Sequence, residues 1–160
     1  MKKFMLAVFA TVISTLAVNA QQVRKAPEFS LPDASGKMIS ISDFKGKWVV
    51  LDFWGSWCGW CIKGFPQMKE NHAALGNKVE FVGVAIGDTN EKWLAAVKKH
   101  NLTWTNLWEN PDTDRSKSVA SLYEVRGFPT KFIINPDGYI VNTTVGEDPE
   151  FYSILSVLVK

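Results

Sequence analysis

The feature that most constrains the fold is an almost unbroken apolar run from Trp48 to Trp54, which leads into Cys58 and Cys61. Continuous apolar character of this length is typical of a strand that is buried on both faces, as in a parallel sheet. The residues after Cys58 have apolar side chains at helical spacing, and Pro66 is expected to kink that helix. The two cysteines are therefore predicted to lie where a buried strand passes into a helix.

Strand-like and helix-like segments alternate along the rest of the chain. This alternation predicts an α/β fold with a central sheet and helices on both of its faces. A late hairpin, with its turn at 135–138, indicates that the sheet is mixed rather than all parallel. The predicted elements are a small N-terminal hairpin at 29–41, strands at 79–86 and 102–107, a helix whose capping residue is Asp88, a helix at 117–123, the late hairpin at 131–141, and a last helix with Asp148 as its N-cap.

Cys58 and Cys61 are the only cysteines of the sequence. A Cys-x-x-Cys pair at the start of a helix is suited to reversible thiol–disulfide chemistry, because the helix N-terminus favours a thiolate on the first cysteine. A structural disulfide is the first alternative, although such bridges more often close longer loops. A zinc site is the second, but His72 and His100 lie too far apart to complete a motif of the paired type. We expect neither a metal nor a cofactor.

Residues 1–20 are predicted to be a signal peptide. Two lysines precede an uncharged apolar run at 4–18, and small residues lead to a cleavage site after Ala20. The alternative is an uncleaved anchor, but the apolar run is shorter than the ~20 residues that span a bilayer. We therefore expect one exported domain at 23–160, without stable membrane insertion after cleavage. The basic, short leader suits the bacterial periplasm, where disulfides persist and can serve as substrates.

The charge balance gives no indication of a nucleic-acid partner. The full sequence has 18 Lys and Arg against 16 Asp and Glu, and cleavage after Ala20 removes two lysines and no acid. The mature chain is thus close to neutral, which does not favour a polyanionic partner.

Asp52 and the segment 127–130 are further candidates for a redox site. Asp52 is the one carboxylate in the apolar run, and its burial would raise its pKa and make it a proton acceptor for Cys61. The alternative is that its side chain turns to solvent or caps a neighbour. Pro129 stands directly before an apolar strand, where a cis Phe128–Pro129 bond would make a sharp fixed turn. Either isomer is compatible with the sequence.

Taken together, these motifs resemble those of thioredoxin-fold proteins, and most closely the exported TlpA/ResA-like thiol–disulfide oxidoreductases. The stretch 49–61 resembles the active-site strand and loop of that family, and 127–130 resembles its cis-proline loop. The stretch 27–47 is similar to its N-terminal hairpin, so the resemblance covers essentially all of 23–160. It implies a thioredoxin-like fold with an extra central element before Pro129.

The resemblance also implies roles for individual residues. Cys58 would be the attacking thiolate, Cys61 the resolving thiol and Asp52 the buried acid. Pro129 would be cis and lie beside the sulfurs, and the backbone of Phe128 would pair with a substrate chain. The substrates would be protein disulfides, which the protein reduces, and a membrane thiol relay would supply electrons.

Aromatic residues crowd the cysteines. Trp57 and Trp60 are candidates for an apolar rim that receives substrate, with ordinary packing as the alternative. His72 lies on the apolar face of its helix and is predicted to be a packed histidine rather than a catalyst.

Two departures from the family pattern limit what can be transferred. Gly59 and Trp60 separate the cysteines where relatives have proline second, so the redox potential is not implied. Gly64 stands where some cytochrome-maturation relatives have a glutamate, so a cytochrome-specific role is not implied either. One alternative function is that of a redoxin-type peroxidase, whose motif would need Pro and Thr in place of Leu51 and Gly55. Another is that of a non-catalytic thioredoxin-like domain that binds a partner through the tryptophans.

Overall fold

The apolar run before the cysteines forms an inner strand of a mixed sheet in the computed structural model, which describes residues 23–160. The predicted signal peptide, with its cleavage site after Ala20, lies outside the described residues. Among those that are described, no helix has both the length and the apolar character to cross a bilayer. In chain order the elements are β1 (Arg24–Lys25), β2 (Ser30–Pro32), β3 (Met38–Ser40), a short 3₁₀ helix (Ile41–Phe44), β4 (Trp48–Trp54), α1 (Gly59–Leu75), β5 (Val79–Ala85), α2 (Asn90–Lys99), β6 (Thr105–Trp108), α3 (Val119–Leu122), β7 (Thr130–Ile134), β8 (Tyr139–Val145) and α4 (Phe151–Leu158).

The main sheet has six strands in the order β1-β8-β7-β4-β5-β6. β4, β5 and β6 are parallel neighbours, whereas β7 runs antiparallel to both β4 and β8. The N-terminal hairpin of β2 and β3 forms a separate small sheet, bridged to the main one between Asp33 and Leu107. Between β5 and β7 the chain adds α2, β6 and α3, and β6 extends the sheet at its edge. The predicted mixed α/β architecture is confirmed.

Side chains of β4 alternate between two hydrophobic cores, one on each face of the sheet. Val50 and Trp54 belong to the core that α1, α2 and α4 cover. Val49, Leu51 and Phe53 belong to the opposite core, with residues of the N-terminal hairpin and α3. Every residue of β4 after the first is buried. This double burial is the physical reason that the strand has an almost continuous apolar sequence.

Three predicted element boundaries are wrong. The last helix begins at Phe151 with Glu150 at the N-cap position, not with Asp148. Asp148 instead forms a turn in which its Oδ1 accepts a hydrogen bond from the Glu150 amide at 2.9 Å. The strand expected from residue 102 begins at Thr105, and the helix expected over 117–123 is reduced to the four residues of α3.

Replacing Phe53 by alanine is expected to lower the free energy of unfolding by about 3–5 kcal/mol. The Phe53 ring is fully buried, and its centroid lies 5.4 Å from that of Tyr123 and 5.8 Å from that of Phe132. Urea unfolding of the oxidised protein measures the loss. Val157→Ala is the control, because Val157 is 65% exposed on α4 and its loss should change stability by less than about 0.5 kcal/mol. Equal losses in the two variants would contradict the assignment of Phe53 to the core.

Candidate active site

Cys58 and Cys61 lie at the junction of β4 and α1, as the sequence predicts. Cys58 is the N-cap residue of α1, which continues through Pro66. The two residues form a disulfide, and their Cα atoms are 5.3 Å apart. The backbone amide of Cys61 points at Cys58 Sγ at 3.1 Å. In the reduced protein this amide and the positive end of the helix would favour a thiolate on Cys58.

The loop between β4 and Cys58 is fastened to the end of β5. Asp88 is buried, and its carboxylate accepts hydrogen bonds from the Ser56 amide at 2.7 Å and from the Ser56 hydroxyl at 2.5 Å. One residue on, the indole N–H of Trp57 donates to the carbonyl oxygen of Ile86 at 2.9 Å. These contacts hold the chain rigidly just before the first cysteine.

Asp88 has a different role from the predicted one. The N-cap of α2 is Thr89, whose hydroxyl accepts from the Lys92 amide at 3.4 Å. Asp88 faces Ser56 instead. Its place three residues after the end of β5 was the available signal, because the carboxyl ends of neighbouring parallel strands lie side by side in a sheet.

The loop before β7 lies against this junction. The Phe128–Pro129 peptide bond is cis, as the family resemblance implies. The ring of Phe128 packs edge-on against Trp57, with centroids 5.1 Å apart. The carbonyl oxygen of Pro129 accepts from the Gly146 amide at 2.8 Å, which links the loop to the end of β8. Phe128, in the same loop as Pro129, is therefore a neighbour of the cysteine loop, although the two loops are far apart in the sequence.

Two of the tryptophans near the cysteines are exposed. Trp57 is 55% exposed and Trp60 is 65% exposed, whereas Trp54 is fully buried. Lys63 lies over the Trp60 ring, with its ammonium 4.3 Å from the centroid. Trp57, Trp60 and the half-buried Phe128 thus give the surroundings of the disulfide an apolar, aromatic character, which we call the aromatic rim.

Asp52 is buried in β4, which contradicts the alternative that its side chain turns to solvent. It is 2% exposed, and its Oδ1 has no hydrogen-bond partner. Strand alternation places it with Val50 and Trp54 on the α1 side of the sheet. Burial raises the pKa of Asp52 to about 6, because the ionised carboxylate loses its contact with water. The positive charge of Lys131 opposes that rise, and the negative charge of Glu147 adds to it.

Lys131 and Glu147 are charged neighbours of Asp52 that the sequence reasoning missed. Lys131 is 3% exposed and stands directly opposite Asp52 in the pairing of β7 with β4. Its ammonium donates to Glu147 Oε1 at 2.7 Å. The Glu147 carboxylate rests against Gly64 of α1, where a Cβ would collide with it. A lysine within an otherwise apolar strand was the available signal for this pair.

Both histidines pack against aromatic side chains. The ring of His72 packs edge-on against Phe81 and Trp104, with centroids 5.3 and 5.9 Å away, as expected of a packed histidine. His100 contacts the Phe65 ring, and partial burial lowers its pKa, with a further contribution from nearby lysines. Within residues 23–160 no group of three His, Cys, Asp or Glu side chains is placed to hold a metal ion.

Comparison with solved structures supports a thioredoxin-like fold for this chain. The thioredoxin domain of a thiol–disulfide oxidoreductase from Bacteroides vulgatus has a TM-score of 0.78 and 29% identity, covering 86% of this chain and 96% of that one. A thiol:disulfide interchange protein from Bacteroides sp. has a TM-score of 0.77 and 28% identity, covering 86% of this chain and 89% of that one.

Sequence comparisons identify the family. Residues 23–143 match the AhpC/TSA family model. The thiol–disulfide oxidoreductase ResA of Bacillus subtilis (strain 168) is 38% identical over 122 residues, which are 76% of this chain and 65% of that protein. ResA of Bacillus anthracis is 33% identical over 125 residues, or 78% of this chain and 69% of that protein. The chain therefore belongs to the AhpC/TSA family, among its thioredoxin-fold thiol–disulfide oxidoreductases of the ResA type.

Proposed function

We propose that this protein is an exported thiol–disulfide oxidoreductase that reduces disulfides in other proteins through Cys58 and Cys61. The observation on which this rests most is the cysteine pair at the start of α1, with the Cys61 amide directed at Cys58 Sγ at 3.1 Å. An N–H group so placed stabilises a thiolate, and the thiolate is the nucleophile in thiol–disulfide exchange.

The reaction proceeds in two exchanges. The Cys58 thiolate attacks one sulfur of the substrate disulfide, so that a mixed disulfide forms and the other substrate sulfur leaves as a thiolate. Cys61 then gives its proton to Asp52 and attacks Cys58 Sγ, which breaks the bond to the substrate. The second substrate sulfur leaves and takes up a proton. Two electrons have passed to the substrate, and the Cys58–Cys61 disulfide remains.

The difference in exposure between the two cysteine residues fits this order of events. Cys58 is 6% exposed and Cys61 only 2% exposed, so the first residue is the more accessible to a substrate. Strand alternation places Asp52 on the same face of β4 as Val50 and Trp54, which belong to the core that contains Cys61. Return to the dithiol form requires an external dithiol, and a membrane thiol relay is the proposed donor.

The aromatic rim is the proposed docking surface for the substrate. Trp57 and Trp60 present large exposed rings beside the disulfide, and such rings bind apolar side chains at small entropic cost. The loop of Phe128 and Pro129 lies next to Trp57, where an extended substrate chain can pair with its backbone. A surface of this kind favours protein disulfides over small disulfides.

Peroxidase chemistry is less well supported. The proline and threonine positions of a peroxidatic motif are held by Leu51 and Gly55. Leu51 is buried in the core on the far side of β4 from Cys61. Gly55 offers no hydroxyl to a peroxide, and a side chain there would collide with the Trp57 indole.

Export is proposed from the leader at 1–20. Expression of the full chain in a bacterial host is expected to yield a periplasmic protein that begins at Gln21. Intact mass and N-terminal sequencing of the osmotic-shock fraction measure this. Recovery of the uncleaved chain from membranes would instead identify the leader as an anchor.

Cys61→Ser is expected to trap mixed disulfides with periplasmic proteins, because Cys58 can attack but nothing resolves the product. Non-reducing gels should show adducts that thiol treatment removes, and insulin reduction should fall by at least about 100-fold. Cys58→Ser is the matched control and should form no adducts. A non-catalytic binding domain would be favoured if both variants trapped the same amount of adducts. It would also be favoured if the wild type, like the two variants, did not reduce insulin.

Asp52→Asn is expected to stabilise the oxidised protein by up to about 3 kcal/mol near pH 7. The folded pKa of Asp52, about 6, lies some two units above that of an exposed aspartate, and each unit corresponds to about 1.4 kcal/mol. The folded state therefore binds more protons between these values, so wild-type stability falls as the pH rises from about 4 to about 6.

Urea unfolding at about pH 7 and about pH 4 measures this effect. The advantage of the asparagine variant should shrink at the lower pH, where the wild-type carboxyl is protonated in the folded state. A constant difference at both values would mean that ionisation of Asp52 is not its cause.

A further inference from the structure

Glu147 lies close to the junction of β4 and α1, although it is far from both cysteines in the sequence. It follows Gly146, whose φ of +83° turns the chain after β8. Its side chain is only 25% exposed, and its carboxylate occupies the space that a side chain at residue 64 would need. Gly64 lies one helical turn after Cys61 and so on the same face of α1. The carboxylate is thus placed on the face of the helix that presents the second sulfur.

Lys131 holds that carboxylate in place. Its side chain is 4% exposed, and a buried ammonium is stable only with a partner. Glu147 is its one ion-pair partner among the described residues. Yet Lys131 also stands directly across from Asp52, and side chains opposite each other in an antiparallel pair lie on one face. Two carboxylates therefore compete for one buried ammonium.

In the structure, the ammonium of Lys131 is paired with the carboxylate of Glu147 and not with that of Asp52. Lys131 donates to Glu147, while Asp52 Oδ1 is left without a hydrogen-bond partner. If Glu147 were neutral, Lys131 would be free to turn to Asp52 across the strand pair. A carboxylate in a direct buried ion pair gives up its bonding with the ammonium when it accepts a proton, so it is a poor base.

The other groups around Asp52 do not replace this control. Gly83 stands opposite Asp52 on β5 and has no side chain. Burial raises the pKa of the Tyr152 hydroxyl, and the charges of Asp52 and Glu147 raise it further, so the hydroxyl stays neutral. The titratable groups that stand opposite Asp52 or act on it are Lys131 of β7, Glu147 of the turn after β8 and Tyr152 of α4, and Cys61 of α1 belongs to the core on the same face of the sheet.

We propose that Glu147 is a positioning residue for the resolving step: it holds the ammonium of Lys131 away from Asp52 and so keeps Asp52 free to accept the proton of Cys61. This inference rests on the proposed function. In the step itself the Cys61 S–H bond breaks and its proton passes to Asp52, while Cys61 sulfur bonds to Cys58 and the substrate sulfur leaves. Glu147 neither gains nor loses a proton.

Stopped-flow mixing of the purified reduced protein with an aromatic nitrobenzoate disulfide, whose thiolate product is coloured, separates the two exchanges. The first thiolate reports attack by Cys58 and depends on reagent concentration. The second reports resolution by Cys61 and does not. In the wild type the second rate should fall on the acid side with a midpoint near pH 6, which Asp52→Asn should abolish.

Glu147→Gln is expected to move that midpoint to lower pH by about one unit and to slow the plateau roughly threefold, because Asp52 becomes a weaker base. Lys131→Met should move it the opposite way. Gly64→Ala keeps both charges but displaces the carboxylate, so it should shift the midpoint as Glu147→Gln does. Glu150→Gln, an equal charge change at an exposed residue of the same turn, is the control and should shift nothing.

The outcomes separate the two proposals. Absence of the second phase in the wild type would overturn the proposed function. If the second phase is normal and its pH midpoint is the same in Glu147→Gln as in Glu150→Gln, only the role of Glu147 is overturned. The same conclusion follows if Glu147→Gln and Lys131→Met shift the midpoint in the same direction. Should Lys131→Met not fold, infrared titration of the Asp52 carboxyl in Glu147→Gln decides: a lowered pKa supports the proposal and an unchanged one contradicts it.

Discussion

β4 packs against helices on one face and against the N-terminal hairpin and α3 on the other, and this double burial positions every reactive group. A strand gripped on both faces cannot shift without disturbing two cores, so its carboxyl end is a rigid platform. Cys58 and Cys61 stand at that end, on the first turn of α1. The same burial shields the Asp52 carboxylate from solvent, and this raises its pKa.

Groups from widely separated parts of the chain lie at the end of the sheet where β4 passes into α1. Asp88 follows β5, which is parallel to β4, and it fastens the loop before Cys58. Pro129 precedes β7, whose antiparallel direction brings its start to the same end. Glu147 follows β8, which ends there as well. The mixed direction of the strands is therefore what brings an acid, a cis-proline loop and a cysteine pair together.

The charged groups at this end of the sheet have unequal partners. Lys131 and Glu147 satisfy each other, whereas Asp52 has one oxygen without a hydrogen bond. An unpaired carboxylate in a core costs stability, and groups of this kind are concentrated at functional sites. The arrangement fits the proposed role of Asp52 as a proton acceptor, since a carboxylate paired with an ammonium would be a weaker base.

Local patterns were sufficient to predict the sheet and the strand–helix junction with Cys58 and Cys61, because each depends on residues close together in sequence, but they left open whether Asp52 is buried. They failed where a side chain's partner lies on another element. Asp88 was expected to cap a helix, and Lys131 was assigned only as the first residue of an apolar strand. The sequence by itself thus determined the architecture and the sulfur chemistry that it allows. Only the tertiary structure decided which charges surround Asp52, because strand order and register bring Lys131 and Glu147 to it.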